Sequence, residues 1–306
     1  MRGGGAPGVR QGAARTATRT YVVGVSIYGV TGSTGRLGGR VAARLAGSGA
    51  QQRLLVRDPG RAPQLAGASV VQASYSGGES VRRALDGLET VLMVSAAEAV
   101  DRVEQHLTFV DAAAAAGVQH LVYVSFLGAS PHATFTLARD HWATEQRIQR
   151  SGMSFTFLRD SLYSDFAVHL AGDDGVIRGP AGDGRVSMVA IDDIAEVATE
   201  VLLGSSSHRD VAYDLTGPEA LTLVEVAEIL TAATGKPYSY EAETVAEAYA
   251  SRVVYDAPTW QVDAWVSTYT AIAAGEMADV STVVEEVTGH PATSLAELLG
   301  ARTAPE

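Results

Sequence analysis

The chain has 306 residues, 46% of them hydrophobic, with a formal charge of −12 and no cysteine. That length suits one large domain, or one domain with an appended lobe, at roughly 150 residues per domain. The acidic balance excludes a polyanion-binding surface, which needs clustered Lys and Arg, and the lack of cysteine excludes disulfides, thiolate metal sites and a thiol nucleophile. No window approaches the roughly 18 consecutive apolar residues of a membrane span, so neither nucleic acid nor a membrane is an expected partner, and a cytoplasmic location is. Lys236 is the one lysine among 23 basic residues, so a mechanism that needs lysine has a single candidate.

Residues 1–20 are rich in Gly, Ala and Arg and carry no acid. They lack the 7–15-residue apolar core of a secretory signal and read as a disordered leader. A start at Val25 from an alternative codon would give the compact beginning Val25-Ser26-Ile27-Tyr28-Gly29. Residues 21–28 form an apolar, β-rich run, the first strand, and 36–45 carry apolar residues at helical spacing. A second strand spans 53–56 and is stopped by Asp58-Pro59-Gly60; a short third spans 69–71. Residues 81–85 lie on a helix and 90–94 on a strand. The Ala-rich stretch 101–116 is a long helix ended by Gly117, a usual residue just past a helix C-terminus. Residues 120–124 form a strand, 136–150 a helix closed near Gly152, and 154–158 a sixth strand.

Short apolar strands alternating with helices indicate βαβ units around a parallel sheet, and continuous rather than alternating apolar runs indicate a sheet covered on both faces. The fold class is therefore α/β, a doubly wound parallel sheet of the Rossmann kind over residues 21–160. After Tyr163 the pattern changes. A glycine-rich stretch at 172–184, a strand at 186–189, a helix at 194–203, the segment 213–218 and a mainly helical tail follow. Residues 161–306 read as a smaller substrate lobe, with some strands and helices returning to the main core.

The first strand runs into Gly29-Val30-Thr31-Gly32-Ser33-Thr34-Gly35-Arg36-Leu37-Gly38 and then into a helix. In that setting the glycines allow a tight turn and close approach to a pyrophosphate, whose charge the helix N-terminus stabilises. About 20 residues on, an acid would bind a ribose 2′-hydroxyl. Here the strand ends in Arg57, which can fork a 2′-phosphate. NADP(H) is favoured; the neighbouring Asp58 leaves NAD(H) as the alternative if it turns inward.

Short-chain reductases polarise a carbonyl with a Tyr that has a Lys four residues later, and no Tyr in this chain has one. Ser125, His141 and Tyr163 fall near the carboxyl ends of the strands, where open α/β sheets place their ligands. His141 is the expected group to titrate near neutral pH; its plain alternative is a helix-surface histidine, and Tyr163 and Ser125 could equally be packing and turn residues. Asp192-Asp193 reads as a helix N-cap. His141 and Glu145 lack a third ligand, so no metal is expected.

The chain resembles the NmrA-like, atypical short-chain dehydrogenase/reductase family, of the bacterial NAD(P)H:quinone oxidoreductase type, from about Ser26 to Leu299. The carriers are Thr31 to Gly38 of the loop above, Leu55-Val56-Arg57-Asp58-Pro59, Val94-Ser95-Ala96, Tyr123-Val124-Ser125 and His141-Trp142-Ala143-Thr144-Glu145. Phe157-Leu158-Arg159-Asp160-Ser161-Leu162-Tyr163, Gly182-Asp183-Gly184-Arg185 and Leu215-Thr216-Gly217-Pro218 complete them. The resemblance implies that Gly32, Ser33, Thr34, Gly35, Arg36 and Leu37 bind the pyrophosphate and Arg57 the 2′-phosphate of NADPH, with NADH admitted. It places Ser95, Ala96 and Ala97 beside the nicotinamide ribose and His141 where lysine stands in catalytic relatives. Three positions depart from the family pattern: Asp160 stands for a common Asn, Ser74 for an Asp and Ala190 for an Arg. The implied activity is hydride transfer from NADPH to a quinone, with His141 or Tyr163 donating a hydrogen bond, by a monomer or homodimer. The alternatives are an NADP(H)-binding redox sensor and a reductase or isomerase of a specialised biosynthetic pathway.

Overall fold

The structure, a computed structural model, describes residues 26–204 and 206–303. The leader, the Val25 start and the first part of the expected 21–28 strand lie outside the described residues. β1 (Ile27–Thr31) leads into α1 (Arg36–Gly47), followed by β2 (Gln51–Val56), β3 (Ala68–Gln72), α2 (Gly78–Leu85) and β4 (Thr90–Met93). Then come α3 (Arg102–Ala115), β5 (His120–Phe126), α4 (Thr136–Arg150) and β6 (Ser154–Asp160). The second half holds β7 (Val176–Gly179), β8 (Arg185–Val186), α5 (Ile191–Leu203), β9 (Val211–Leu215), β10 (Leu221–Thr222) and α6 (Leu223–Thr234). It ends with β11 (Ser239–Ala242), α7 (Val245–Arg252), α8 (Thr259–Ala273), α9 (Val283–Thr288) and α10 (Leu295–Thr303).

Seven strands form one sheet in the order β3-β2-β1-β4-β5-β6-β9, every pair parallel. The order reverses between β1 and β4, which opens a crevice at their carboxyl ends. Apolar strands buried on both faces drive this arrangement. Val30, Leu45, Leu92 and Ile194 pack on the face covered by α1 and α5. Leu85, Met93, Phe109, Tyr123 and Phe157 pack on the other, under α2, α3 and α4. A third apolar group holds Ile177, Val186, Leu230 and Ile272 together with Phe135 and Ala138 at the start of α4, beside the pairs β7 with β11 and β8 with β10.

Several expected elements are longer in the structure because pairing partners extend them. β5 and β6 run on to Phe126 and Asp160, so Ser125 lies within a strand, opposite Arg159. The 186–189 strand is shorter than expected: β8 ends at Val186, and Val189 makes an isolated bridge to Tyr163. Asp192-Asp193 is not the N-cap of its helix. α5 begins three residues earlier than expected, with Ala190 at the cap, and Asp165 Oδ2 accepts the Ile191 N–H at 2.8 Å. Asp192 instead pairs with Arg40 Nε at 2.9 Å. Asp193 accepts the Thr293 N–H and hydroxyl at 2.7 and 2.8 Å, which ties the segment before α10 to the main core. Among the described residues, no helix is long and apolar enough to cross a membrane.

Candidate active site

The turn between β1 and α1 is built so that backbone, not side chains, faces the crevice. Gly32 has φ +66°, and a Cβ there would lie 2.9 Å from Val94 Cβ. Gly38 closes the turn from the helix side, because a Cβ on it would fall 2.5 Å from the Gly32 carbonyl carbon and oxygen. Gly38→Ala is therefore expected to cost about 1–3 kcal/mol from overpacking and to weaken dinucleotide binding. Thermal melting and nucleotide titration check it; an unchanged melt would contradict the close approach. α1 has Gly35 at its N-cap with no side-chain cap and no acid in its first turn. Its leading N–H groups and positive dipole end are left for an anion. The buried Ser33 hydroxyl has no partner among the described residues. These features fit a pyrophosphate.

A cleft of about 460 Å³ runs from this turn across the strand ends, and Gly32, Thr34, Arg57, Ser95, Ala96 and Ala97 line it. The other residues expected at the cofactor sit behind or beside it. Gly29 gives room to Leu88, whose Cδ1 would be 2.8 Å from a Cβ there. Leu37 is a core residue. Gly35 donates its N–H to the Gly32 carbonyl at 2.9 Å, and Arg36 lies over the Phe166 ring, 4.6 Å from its centroid. Thr31 is turned inward: its hydroxyl oxygen accepts the Val94 N–H at 2.9 Å and meets Tyr75 Oη. It joins β1 to the end of β4. Asp58 does not turn toward the cleft, because its carboxylate accepts the Gly60 N–H at 2.9 Å and caps its own short turn. Arg57 is exposed on the cleft wall, and among the described residues no carboxylate pairs with it.

Ser125, His141 and Tyr163 lie at the carboxyl ends of β5 and β6, each tied to an internal partner. Ser125 donates to Glu145 Oε1 at 2.7 Å, and Glu145 takes a forked pair of bonds from Arg159 at 2.9 and 2.7 Å. His141 is 5% exposed, with Nε2 3.0 Å from Arg102 Nη2 and Nδ1 3.0 Å from Tyr123 Oη. The expectation that it titrates near neutral pH does not hold: burial first, then the Arg102 charge and His106, hold its pKa well below the usual histidine value. It is neutral at physiological pH. Tyr163 donates to Asp160 Oδ2 at 2.9 Å and stacks on Phe166. Burial raises the Asp160 carboxyl well above the ordinary range and, with the neighbouring Asp160, raises the Tyr163 phenol.

Sequence reading missed the inner shell: Tyr75, Arg102, His106 and the Glu145–Arg159 pair. Nothing in the pattern of α3 announces that one arginine of an Ala-rich helix is 4% exposed. The Glu145–Arg159 pair had a usable signal, since adjacent parallel strands place Ser125 beside Arg159 once their register is known. Among the described residues no three His, Asp or Glu side chains group as a metal site.

A parallel sheet whose order reverses beside an uncapped helix end, with an arginine on the far wall, defines a dinucleotide-binding α/β protein. Comparison with known proteins gives the family within that class. The model of the NmrA-like family matches residues 27–296, and the chain belongs to that family. It is 33% identical to quinone oxidoreductase 2 of Escherichia coli over 88% of this chain and 96% of that protein. It is 32% identical to the NAD(P)H azoreductase of Xenophilus azovorans over 90% and 97%. The structure of an E. coli NADPH-dependent quinone oxidoreductase complexed with NADPH superposes with a TM-score of 0.83 at 32% identity, covering 90% of this chain and 100% of that one.

Proposed function

We propose that the chain oxidises NADPH and reduces a quinone, or a similarly electron-poor small molecule, by hydride transfer. The observation that carries this reading is that Ser125, His141 and Tyr163 are each committed to internal partners. A carbonyl on its way to an alcohol needs a positioned acid in the transition state. A quinone does not, because the charge it gains spreads over a ring that becomes aromatic. NADPH supplies the hydride, so quinone, NADPH and one proton from water give hydroquinone and NADP⁺.

The chain's own residues then bind and orient. Gly32 and the leading N–H groups of α1 hold the pyrophosphate, Arg57 forks the 2′-phosphate, and residues 95–97 line the nicotinamide end of the cleft. Positioning of the two reactants supplies most of the rate. A second cavity of about 710 Å³ in the lobe is lined by Leu162, Met188, Trp265 and Tyr269 among others. Leu162 and Met188 directly precede Tyr163 and Val189, which bridge at the end of β6. That supports an acceptor whose apolar body is larger than one ring.

The test is NADPH consumption by the full chain with benzoquinone, naphthoquinone and simple aldehydes. Steady oxidation with quinones, a higher kcat/KM for the two-ring acceptor and no turnover of aldehydes are expected. Binding of NADPH without turnover of any quinone would overturn the reading in favour of a nucleotide-sensing regulator. Turnover confined to aldehydes would point to a pathway reductase.

A further inference from the structure

Ala96, on the wall of the cleft, is held at both of its backbone polar groups, one in each flanking peptide. Its N–H donates to His106 Nε2 at 2.8 Å, and its carbonyl accepts from Arg102 Nε at 3.0 Å. Arg102 and His106 stand one turn apart on α3, and both are buried. The rest of the Arg102 guanidinium is used as fully. Nη1 reaches Asp140 Oδ2 at 3.3 Å, and Nη2 reaches His141 Nε2 at 3.0 Å.

These contacts fix both histidine tautomers. Arginine only donates, so His141 Nε2 accepts and its proton sits on Nδ1, facing Tyr123 Oη. The Ala96 N–H likewise makes His106 Nε2 an acceptor and puts its proton on Nδ1, facing Thr144 Oγ1 at 2.9 Å. Thr144 donates onward to the Asp140 carbonyl at 2.8 Å. The result joins the loop after β4, the start of α3 and the inward side of α4 through buried polar groups whose partners are all protein atoms. Such a network is rigid when complete and costly when broken.

We propose that Arg102 is a positioning residue for hydride transfer: one guanidinium sets the Ala96 peptide that lines the cleft and holds His141 as a neutral, Nδ1-protonated ring. The inference rests on the nucleotide reading of the cleft. Its two halves are coupled, because the cation that anchors the loop adds to burial in disfavouring a second proton on His141. The charged and titratable groups around His141 are Arg102 and His106 from α3, Tyr123 from β5, and Asp140 and Glu145 from α4. Arg102 is the one full positive charge among them that contacts the ring.

The experiment compares Arg102→Gln and Arg102→Lys with wild type in the full chain. NADPH binding is read by titration, and the His141 ring by NMR across pH. Arg102→Gln is expected to weaken NADPH about tenfold, the worth of one charge-assisted hydrogen bond, and to let His141 protonate closer to its ordinary range near 6.5. Arg102→Lys, which keeps a cation but loses the fork, is expected to weaken NADPH and leave His141 neutral. Arg147→Gln removes another ion pair between α4 and α3, with Asp111 on the outer surface, and is expected to move neither readout. Should Arg102→Gln not fold, His106→Leu and His106→Gln test the same residue's backbone: only the glutamine can accept the Ala96 N–H, so only it should retain affinity. Unchanged NADPH affinity in both Arg102 variants, an unmoved His141 titration in Arg102→Gln, or equal effects from Arg147→Gln would overturn the proposal. If wild type bound no NADPH, the functional reading would fail, while the His141 titration would still decide the role of Arg102.

Discussion

Replacing Arg57 by alanine is expected to raise the KM for NADPH by about 10- to 100-fold and to leave the KM for NADH within about threefold. A forked, charge-assisted contact to phosphate is worth about 1.5–3 kcal/mol, and each 1.4 kcal/mol is a factor of ten. NADH has no group at that position, so Arg57 contributes little to it. The structure removes the residue that could have blurred this contrast: Asp58 spends its carboxylate on the Gly60 N–H. Arg57 is exposed, and its backbone carbonyl accepts from Gln72 at 3.0 Å; among the described residues no side-chain bond or ion pair holds the guanidinium. Its side chain is free to close on a ligand. Steady-state kinetics with the two cofactors check the expectation, and equal losses for both would contradict a 2′-phosphate contact.

The second large effect concerns Asp160. Its carboxyl is 1% exposed, accepts one hydrogen bond from Tyr163, and has no partner on Oδ1 among the described residues. Burial raises its pKa well above the ordinary range. In the unfolded chain it ionises at about 3.9, so between the two values the folded state holds the extra proton. Its contribution to stability is full below about pH 4 and is lost as pH rises through the folded-state pKa, at about 1.4 kcal/mol per unit. Asp160→Asn keeps the acceptor for Tyr163 and removes the ionisation. The variant is expected to melt above wild type at about pH 8, by roughly 2–4 °C per kcal/mol, and the gap should close toward pH 4. Comparing two proteins that differ at one group cancels the remaining titrations. A gap that stays constant with pH, or wild type being the more stable at about pH 8, would contradict a buried, neutral carboxyl.

The sheet was legible in the sequence because its signals are local. Apolar strands, helix spacing and the Gly32–Gly38 turn each follow from residues close along the chain, whereas the strand order and the place of β9 at the sheet edge come from the structure. The cleft residues Gly32, Thr34 and Arg57 were legible for the same reason, since they follow strands, while Ser95, Ala96 and Ala97 were implied by the family resemblance. What was hidden depends on contacts between distant segments. Thr31 reads as a loop hydroxyl until Tyr75, 44 residues on, is seen at its oxygen. His141 reads as the neutral-pH titrating group until Arg102, 39 residues away, is found against its Nε2. Asp192 and Asp193 read as a cap until Asp165 is found occupying the Ile191 N–H. In each case a polar side chain has the expected type and place, and a distant partner has taken its free valence.

In the function proposed above, hydride transfer proceeds without a titrating acid of the protein. The most direct measurement is kcat for NADPH-dependent quinone reduction from about pH 6 to about pH 8, the range in which an unperturbed histidine changes charge. With His141 neutral and bonded to Arg102, and Tyr163 and Ser125 bonded to Asp160 and Glu145, the profile is predicted to show no limb that depends on His141. A limb with its midpoint near 6.5 that disappears in His141→Ala would contradict the account.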